Sequence, residues 1–416
     1  MSEPKRIGII GAGGWAGALI NLFNEHVPKA RGRITVVSTS RPEQTAADEN
    51  VKAQGATVVG SADELFAADL DGVIVPTSID THEVYTARAL ELGWHVLCEK
   101  PAAGTVDEID RMIAARDKAG RAVGIAFQDT FSASIQWAKQ QILGGAIGKV
   151  KRAKVWACWP RSDSYYQRNS WAGALERDGR WILDSPANNA MGHQVNILSY
   201  LTGPDATTSN APTQVEAELY RAREIDYADT CAFRVATEAG CSLLYMLSHA
   251  CRRGSGPFIE IEGEQGTIRR SEGTQCELIR DGAVIEAVDN GPGAAHGPMY
   301  GQFLDAMNGG SHHMDCELEN ARTMTTIING AAEASSVHTI DKAHWERVPW
   351  SVMDPNMPID NADTDCAHAV TGMEETMQRC YDAFVLPSEC DDVAWVQAAG
   401  TCDVRGYKRF GGPKAS

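Results

Sequence analysis

Two stretches of the sequence have residue types and spacing suited to chemistry. The first is Gly11-Ala12-Gly13-Gly14-Trp15-Ala16, which follows a short apolar run and opens a helical one. A G-x-G-x-x-G/A pattern in that setting cradles a dinucleotide. Gly11 permits the tight turn, Gly13 lets the main chain approach a pyrophosphate, and Ala16 keeps the helix close to the strand. Gly14 and Trp15 stand at the helix start, where unpaired N–H groups and the positive dipole end favour an anion. The second stretch is Cys98-Glu99-Lys100-Pro101. Lys100 falls just past a predicted strand, at the sheet edge where ligands of open α/β sheets bind. An ammonium there can hydrogen-bond a reacting oxygen, with Glu99 beside it.

The end of the second predicted strand reads Val37-Ser38-Thr39-Ser40-Arg41. A carboxylate at this place would hold a ribose 2′-hydroxyl, whereas hydroxyl residues followed by arginine suit a 2′-phosphate. Ser38, Thr39 and Ser40 precede Arg41, which can fork onto a phosphate. NADP is therefore expected in preference to NAD. Thr77 and His82, flanking the start of a later helix, join Glu99 and Lys100 in the expected cofactor site. For His82 the plain alternative is a cap on the turn.

These residues need a scaffold, and the rhythm of the chain supplies one. Short apolar runs at 6–10, 34–38, 72–75, 95–98 and 122–126 alternate with helical stretches at 15–24, 42–54, 62–67, 81–92 and 106–119. That alternation predicts a parallel sheet with helices on both faces, a Rossmann dinucleotide-binding domain over residues 1–126. Beyond 127 the pattern changes. A helix at 134–143 leads to a strand at 150–157, a loop at 159–181 and a helix at 189–201. Alternating runs at 215–220, 230–237, 241–248 and 258–262 then predict a mainly antiparallel sheet. Helices at 299–307 and 317–337 complete an α+β domain over 127–350. Residues 351–416 form an acidic extension with one helix at 369–384, expected to pack on the rest. The fold class is α/β followed by α+β.

The motifs Gly11-Ala12-Gly13, Gly93-Trp94-His95-Val96-Leu97-Cys98-Glu99-Lys100-Pro101 and Asn189-Ala190-Met191-Gly192-His193 resemble the Gfo/Idh/MocA family over roughly residues 5 to 345. The family includes glucose-fructose oxidoreductase and inositol dehydrogenase. The resemblance implies an open sheet in the second domain, often used for oligomerisation, so a homo-oligomer (dimer or tetramer) through that sheet is expected. It also implies reversible hydride transfer between NAD(P) and a hydroxyl-bearing carbon of a sugar or polyol. The family lysine corresponds to Lys100 and its histidine to His193. Where many members carry aspartate four residues earlier, this chain has Asn189. An amide orients a hydroxyl but carries no proton, which moves acid/base duty to His193 and Lys100. On the expected helix, Asn189 and His193 stand one turn apart and can face one substrate. Asp184 does not align with the family aspartate; its entry into the site from the preceding loop is a lesser alternative. Gln128 keeps an amide that lies near nicotinamide and substrate in relatives, while Thr130 stands where many have arginine.

The loop at 159–181 mixes arginines, amides, hydroxyls and rings, a mixture suited to polyhydroxylated ligands. Tyr166 and Arg168 are its expected substrate contacts, against the plain reading of a packed surface loop. The consecutive His312, His313, Asp315 and Cys316 rarely converge on one ion, so no metal site is expected.

Composition narrows the rest. The 416 residues carry 38 Lys+Arg against 55 Asp+Glu, a formal charge of −17. Such a charge repels phosphate backbones and anionic lipid, so neither nucleic acid nor a membrane is an expected partner. Eleven scattered cysteines without a CxxC predict free, mostly buried thiols in a reducing compartment, the cytoplasm. The uncharged run 7–24 mimics a signal-peptide core, but its glycines argue against one. Two rival functions stand beside the dehydrogenase: redox-assisted glycoside cleavage, and non-catalytic sensing of NAD(P).

Overall fold

A computed structural model describes residues 3–271, 273–310, 312–353 and 364–415. Residues 354–363 of the expected extension lie outside the described residues. The chain divides into two compact units.

The first unit takes the chain up to Ala103, then Asp107–Ala133 and Pro292–Arg322. Its strands are β1 (Lys5–Ile10), β2 (Gly32–Ser38), β3 (Thr57–Val59), β4 (Gly72–Val75), β5 (His95–Cys98) and β6 (Val123–Ile125). All pair in parallel, in the order β3-β2-β1-β4-β5-β6. Every residue of β4 and β5 is buried, as helices on both faces require. The strand order reverses between β1 and β4, and such a reversal opens a crevice at the carboxyl ends of the strands. The run 7–24 is β1, the glycine turn and helix α1 (Trp15–His26). Among the described residues no helix is long and apolar enough to cross a membrane.

One difference from the sequence reading has a local cause. The helix expected over 42–54 is broken into α2 (Pro42–Ala46) and α3 (Glu49–Gln54). Asp48 breaks it: its Oδ1 accepts from the backbone N–H of Asn50 at 2.8 Å and of Val51 at 3.4 Å, an N-cap that starts a new helix. A second difference is long-range: residues 292–322, placed by the sequence reading in the second domain, group with the first unit. The helix His296–Met307 sets Tyr300 edge-on against Phe23 of α1, ring centroids 5.2 Å apart. Further along, Ile125 of β6 donates its N–H to the Cys316 carbonyl at 2.9 Å.

The second unit is built on a ten-stranded sheet. Most pairings are antiparallel, but Val150–Cys158 runs parallel to Ser242–Ser248 at its centre. Three strands absent from the sequence reading extend one side: Thr267–Ser271, Cys276–Arg280 and Ala283–Val288. They are short and charged, and the last is exposed nearly throughout. The described residues of the expected extension belong to this unit. Its helix Met373–Ala383 packs on the two central strands, whose other face carries the helix Gly192–Leu201. Trp156, Leu244 and Met246 from the sheet form one buried cluster with Met373, Met377, Cys380, Leu386 and Trp395 from the extension. The middle of the expected open face is thus covered by the chain itself.

Candidate functional site

In the first unit, the residues singled out by sequence gather at the carboxyl edge of the parallel sheet. Gly11 has φ +112° and donates its N–H to the Ser38 carbonyl at 2.8 Å, tying the turn to the end of β2. Gly14, at φ +55°, precedes α1, and no side chain caps that helix. A further glycine matters that the motif reading passed over. A Cβ on Gly17 would lie 2.8 Å from the Ala12 carbonyl oxygen, so only glycine lets helix and turn approach this closely. Ala12, Gly13, Gly17, Thr39, Arg41 and Asp48 line one cavity of about 410 Å³.

This cavity fits the adenosine half of a dinucleotide on its own features: an uncapped helix end, glycines that admit a close backbone approach, and polar side chains around the rim. Arg41 is exposed at that rim, and its N–H donates to Thr39 Oγ1 at 3.2 Å. Ser40 is exposed beside it. The sequence reading saw no carboxylate here, yet Asp48 lines the same cavity while capping α3.

Lys100 follows β5 and is half-buried. Its backbone N–H donates to Glu99 Oε2 at 3.2 Å, and its peptide bond to Pro101 is cis. Glu99 is buried; burial pushes its carboxyl up, opposed by the Lys100 charge and by a hydrogen bond from Trp15.

His82 is a strut of that site. Its Nδ1 lies 2.9 Å from the Pro101 carbonyl and its Nε2 3.0 Å from the Thr77 carbonyl. Neutral imidazole satisfies only one of these as a donor, while burial holds its pKa below the ordinary histidine value. With both nitrogens on the main chain, His82 shapes the loops after β4 and β5 instead of offering a nitrogen to a ligand. Thr77 also accepts from Thr81 Oγ1 at 2.7 Å. Gln128 is half-buried in the short turn Gln128–Phe131, just after β6. His312 and His313 go to separate partners: His312 stacks on His95 with ring centroids 5.7 Å apart, and His313 Nδ1 lies 3.0 Å from Glu317 Oε1.

In the second unit the expected helix 189–201 begins only at Gly192. His193 sits in its first turn and is half-exposed, whereas Asn189 lies in the turn before it. The two are therefore not on one helical face. Asn189 Nδ2 donates to Asp184 Oδ1 at 2.8 Å, and Asp184 Oδ2 accepts the Gly173 N–H at 2.6 Å. Asp184 is buried. Leu183 before it has φ +52°, a left-handed conformation that costs a bulky residue about 1–3 kcal/mol. The N–H groups of Leu183 and Asp184 hold it there through the carbonyls of Leu175 at 3.0 Å and Ala174 at 3.0 Å.

The aromatic loop separates its two expected contacts. Ser162 caps a short helix, Asp163–Gln167. Arg168 is exposed and lies over the Tyr165 ring, 3.6 Å from its centroid, so its guanidinium packs on its own loop. Tyr166 instead lines a cavity of about 540 Å³ with Asp163, Arg223, Trp345, Arg347 and His368. Burial pushes its hydroxyl well up, out of reach of ionisation. Asp163 and Asp184 were the residues sequence reasoning underweighted: Asp163 accepts from the distant Arg223 and Arg347, and Asp184 bridges Gly173 and Asn189.

Comparisons with known proteins agree with this architecture. Residues 5–127 match the model of the oxidoreductase family with an NAD-binding Rossmann fold, and residues 135–269 match the GFO/IDH/MocA C-terminal domain. Inositol 2-dehydrogenase of Ralstonia nicotianae is 27% identical over 263 residues, 63% of this chain and 72% of that protein. Inositol 2-dehydrogenase 3 of Saccharopolyspora erythraea is 24% identical over 293 residues, 68% of this chain and 78% of that protein. Among solved structures, the WlbA dehydrogenase of Bordetella pertussis, determined with NADH and UDP-GlcNAcA, is similar in fold. It gives a TM-score of 0.65 at 22% identity and covers 79% of this chain and 94% of that one. With both domain models matched over more than half of its length, the chain belongs to the Gfo/Idh/MocA family of oxidoreductases.

Proposed function

We propose that the protein is an NAD(P)-dependent dehydrogenase or reductase acting on a hydroxyl-bearing carbon of a sugar or polyol. The observation that carries this is the placement of Lys100 just past β5, at the carboxyl edge of the Rossmann sheet whose β1 leads into the glycine turn. The names of the inositol 2-dehydrogenase relatives support the substrate class.

Gly11, Gly13, Gly14 and the start of α1 would hold the pyrophosphate, with Ser38, Thr39, Ser40 and Arg41 around the adenosine ribose. Bound nicotinamide supplies or takes up the hydride. Lys100 Nζ donates a hydrogen bond to the reacting oxygen and polarises it; His193 takes the hydroxyl proton and returns it in the reverse direction. Asn189 orients a hydroxyl, and Tyr166 offers a ring face to the substrate. Arg41 on the rim of the adenosine cavity supports NADP over NAD. All eleven cysteines are free and eight are buried, which suits a reducing compartment. Self-association would use the uncovered side of the sheet, where Val284 and Ile285 are 50% and 57% exposed.

A screen of myo-inositol, aldoses and sugar acids against NADP and NAD, read by absorbance of the reduced nicotinamide, tests the reading. Lys100→Ala is expected to lose at least about 100-fold in kcat, the scale of one lost proton-transfer or oxyanion partner. Cofactor affinity should persist. Turnover near normal in that variant removes Lys100 from the mechanism, and cofactor binding without turnover on any substrate favours a sensor.

A further inference from the structure

We infer that Cys380 and Cys390 form a modification site, at which a hydroperoxide couples the two thiols into a disulfide that clamps the C-terminal extension onto the sheet of the second unit. Neither nicotinamide nor a sugar takes part, so the site is independent of the oxidoreductase reading.

The two sulfurs are already neighbours. Their Sγ atoms lie 3.8 Å apart, although the residues are ten apart in sequence. A disulfide needs about 2.05 Å, so a movement of less than about 1 Å by each sulfur closes the gap. The backbone brings them together by doubling back. Cys380 stands in the last turn of the helix Met373–Ala383, which ends at Phe384 with φ +60°. Val385 then donates its N–H to the Cys380 carbonyl at 3.0 Å. Cys390 closes the short turn Pro387–Glu389, its N–H on the Pro387 carbonyl at 3.0 Å.

Exposure decides the order of events. Cys380 is fully buried in the cluster with Met373, Met377 and Trp395, whereas Cys390 is half-buried at its margin. Burial and the neighbouring Cys390 push the Cys380 thiol up, which makes it the resolving partner. The Cys390 thiolate attacks one peroxide oxygen: an S–O bond forms, the O–O bond breaks, and the other oxygen leaves as water or an alcohol with the thiol proton. Cys380 Sγ then displaces the hydroxyl of the sulfenic acid. An S–S bond forms, the S–O bond breaks, and water carries off the Cys380 proton. Two electrons pass from the thiols to the peroxide.

Other thiols set the contrast. Cys158 hydrogen-bonds Cys251, but both are fully buried and closed to an oxidant. Cys402 is half-buried and gives its thiol to Glu333 Oε2 at 3.4 Å; burial and that carboxylate push it up to about 11, away from the reactive thiolate.

The bond would join a cover to an anchor. Next to Cys390, Ser388 Oγ donates to Glu218 Oε1 at 2.6 Å and Glu389 Oε1 accepts from Arg234 at 2.9 Å. Glu218 and Arg234 belong to the sheet strands Pro212–Arg221 and Thr230–Thr237. A covalent link from this turn to Cys380 holds the covering helix to the strands and restricts the unfolded chain.

Hydrogen peroxide applied to the reduced protein, followed by denaturing alkylation and peptide mapping without reductant, tests the site. The expected product is a peptide pair joined through Cys380 and Cys390, lighter by two hydrogen atoms and separated by dithiothreitol. Cys158 and Cys251 should still take the alkylating label. The oxidised protein should melt about 5 °C or more above the reduced one. In Cys390→Ser neither the bond nor the rise in Tm should appear, and in Cys380→Ala a dimedone-reactive sulfenic acid should accumulate at Cys390. If Cys380→Ala gives little folded protein, the wild-type map and Cys390→Ser decide between them. A Cys390 thiol that survives while buried thiols oxidise, a disulfide to another partner, or a bond that leaves Tm unchanged overturns the inference.

Discussion

The glycine turn of the first unit and the Asp184 loop of the second solve the same problem, holding a polar group still, by opposite means. In the turn the main chain does the positioning: Gly11, Gly14 and Gly17 adopt conformations or approaches that a Cβ would forbid. Around Asp184 a side chain does it, reaching from a left-handed leucine to Gly173 on one side and Asn189 on the other. The first device is contiguous in sequence and reads as a motif. The second joins residues 173, 184 and 189 through contacts that no spacing rule announces.

The largest expected effect that tests this contrast is on the backbone device. Gly17→Val should reduce cofactor affinity by at least about 100-fold, since the added side chain drives into the Ala12 carbonyl 2.8 Å away; displacing the turn forfeits several backbone hydrogen bonds to an anion, each worth about 1.5–3 kcal/mol. Fluorescence titration with NADP and NAD measures it, and unchanged affinity would mean that side chains, not backbone, hold the dinucleotide. Arg41→Ala comes next. If its guanidinium meets a 2′-phosphate, the ratio of kcat/KM for NADP over NAD should fall about tenfold or more, consistent with one charged hydrogen bond. A ratio that does not move assigns the choice of cofactor elsewhere.

A smaller effect separates the units by the sign of their pH dependence. In the first, His95 accepts the Ala122 N–H on Nδ1, and burial holds its pKa down to about 4 from an ordinary 6.5. A depressed histidine makes the folded state bind fewer protons, so its contribution is lost as pH falls from about 6.5 toward 4. In the second, burial pushes Asp229 up to about 6 from 3.8, despite N–H bonds from Ala222 at 2.9 Å and Arg223 at 3.2 Å. Its contribution is present at low pH and lost as pH rises through about 6. Melting temperatures between pH 4 and 7 should therefore change slope in opposite directions for His95→Gln and Asp229→Asn. Slopes that shift the same way contradict one of the two burials. The smallest effect concerns the sheet edge. Val284→Lys with Ile285→Lys should change stability by less than about 0.5 kcal/mol, as exposed positions do, yet lower the mass measured by light scattering if this strand joins two copies.

Much of the first unit was legible because its signals are local. β4 and β5 appear at the bounds their apolar runs give, and the glycine motif sits where the strand order reverses. One of its errors was local too: Asp48 looked like one more polar residue in a helix, but caps a new one. The second unit was legible in its central strands and poorly legible at its rim, where charged runs such as Thr267–Ser271 carry little periodicity. Asn189 and His193 were expected on one helix because their spacing allows it. What the spacing could not convey was that the helix begins only at Gly192 and that Asn189, in the turn before it, gives its amide to Asp184.

One feature bears on how the molecule is made. The apolar face of Val150–Cys158 and Ser242–Ser248 finds cover in Met373, Met377, Cys380, Leu386 and Trp395 of the extension, and Pro212–Arg221 gains an edge partner in Gly400–Asp403. During synthesis, at about 5–20 residues per second, that face waits on the order of tens of seconds for the segment that closes it. The second unit can reach its final packing only after residues 373–403 have left the ribosome, so loss of that segment should leave an adhesive sheet in place of a finished core.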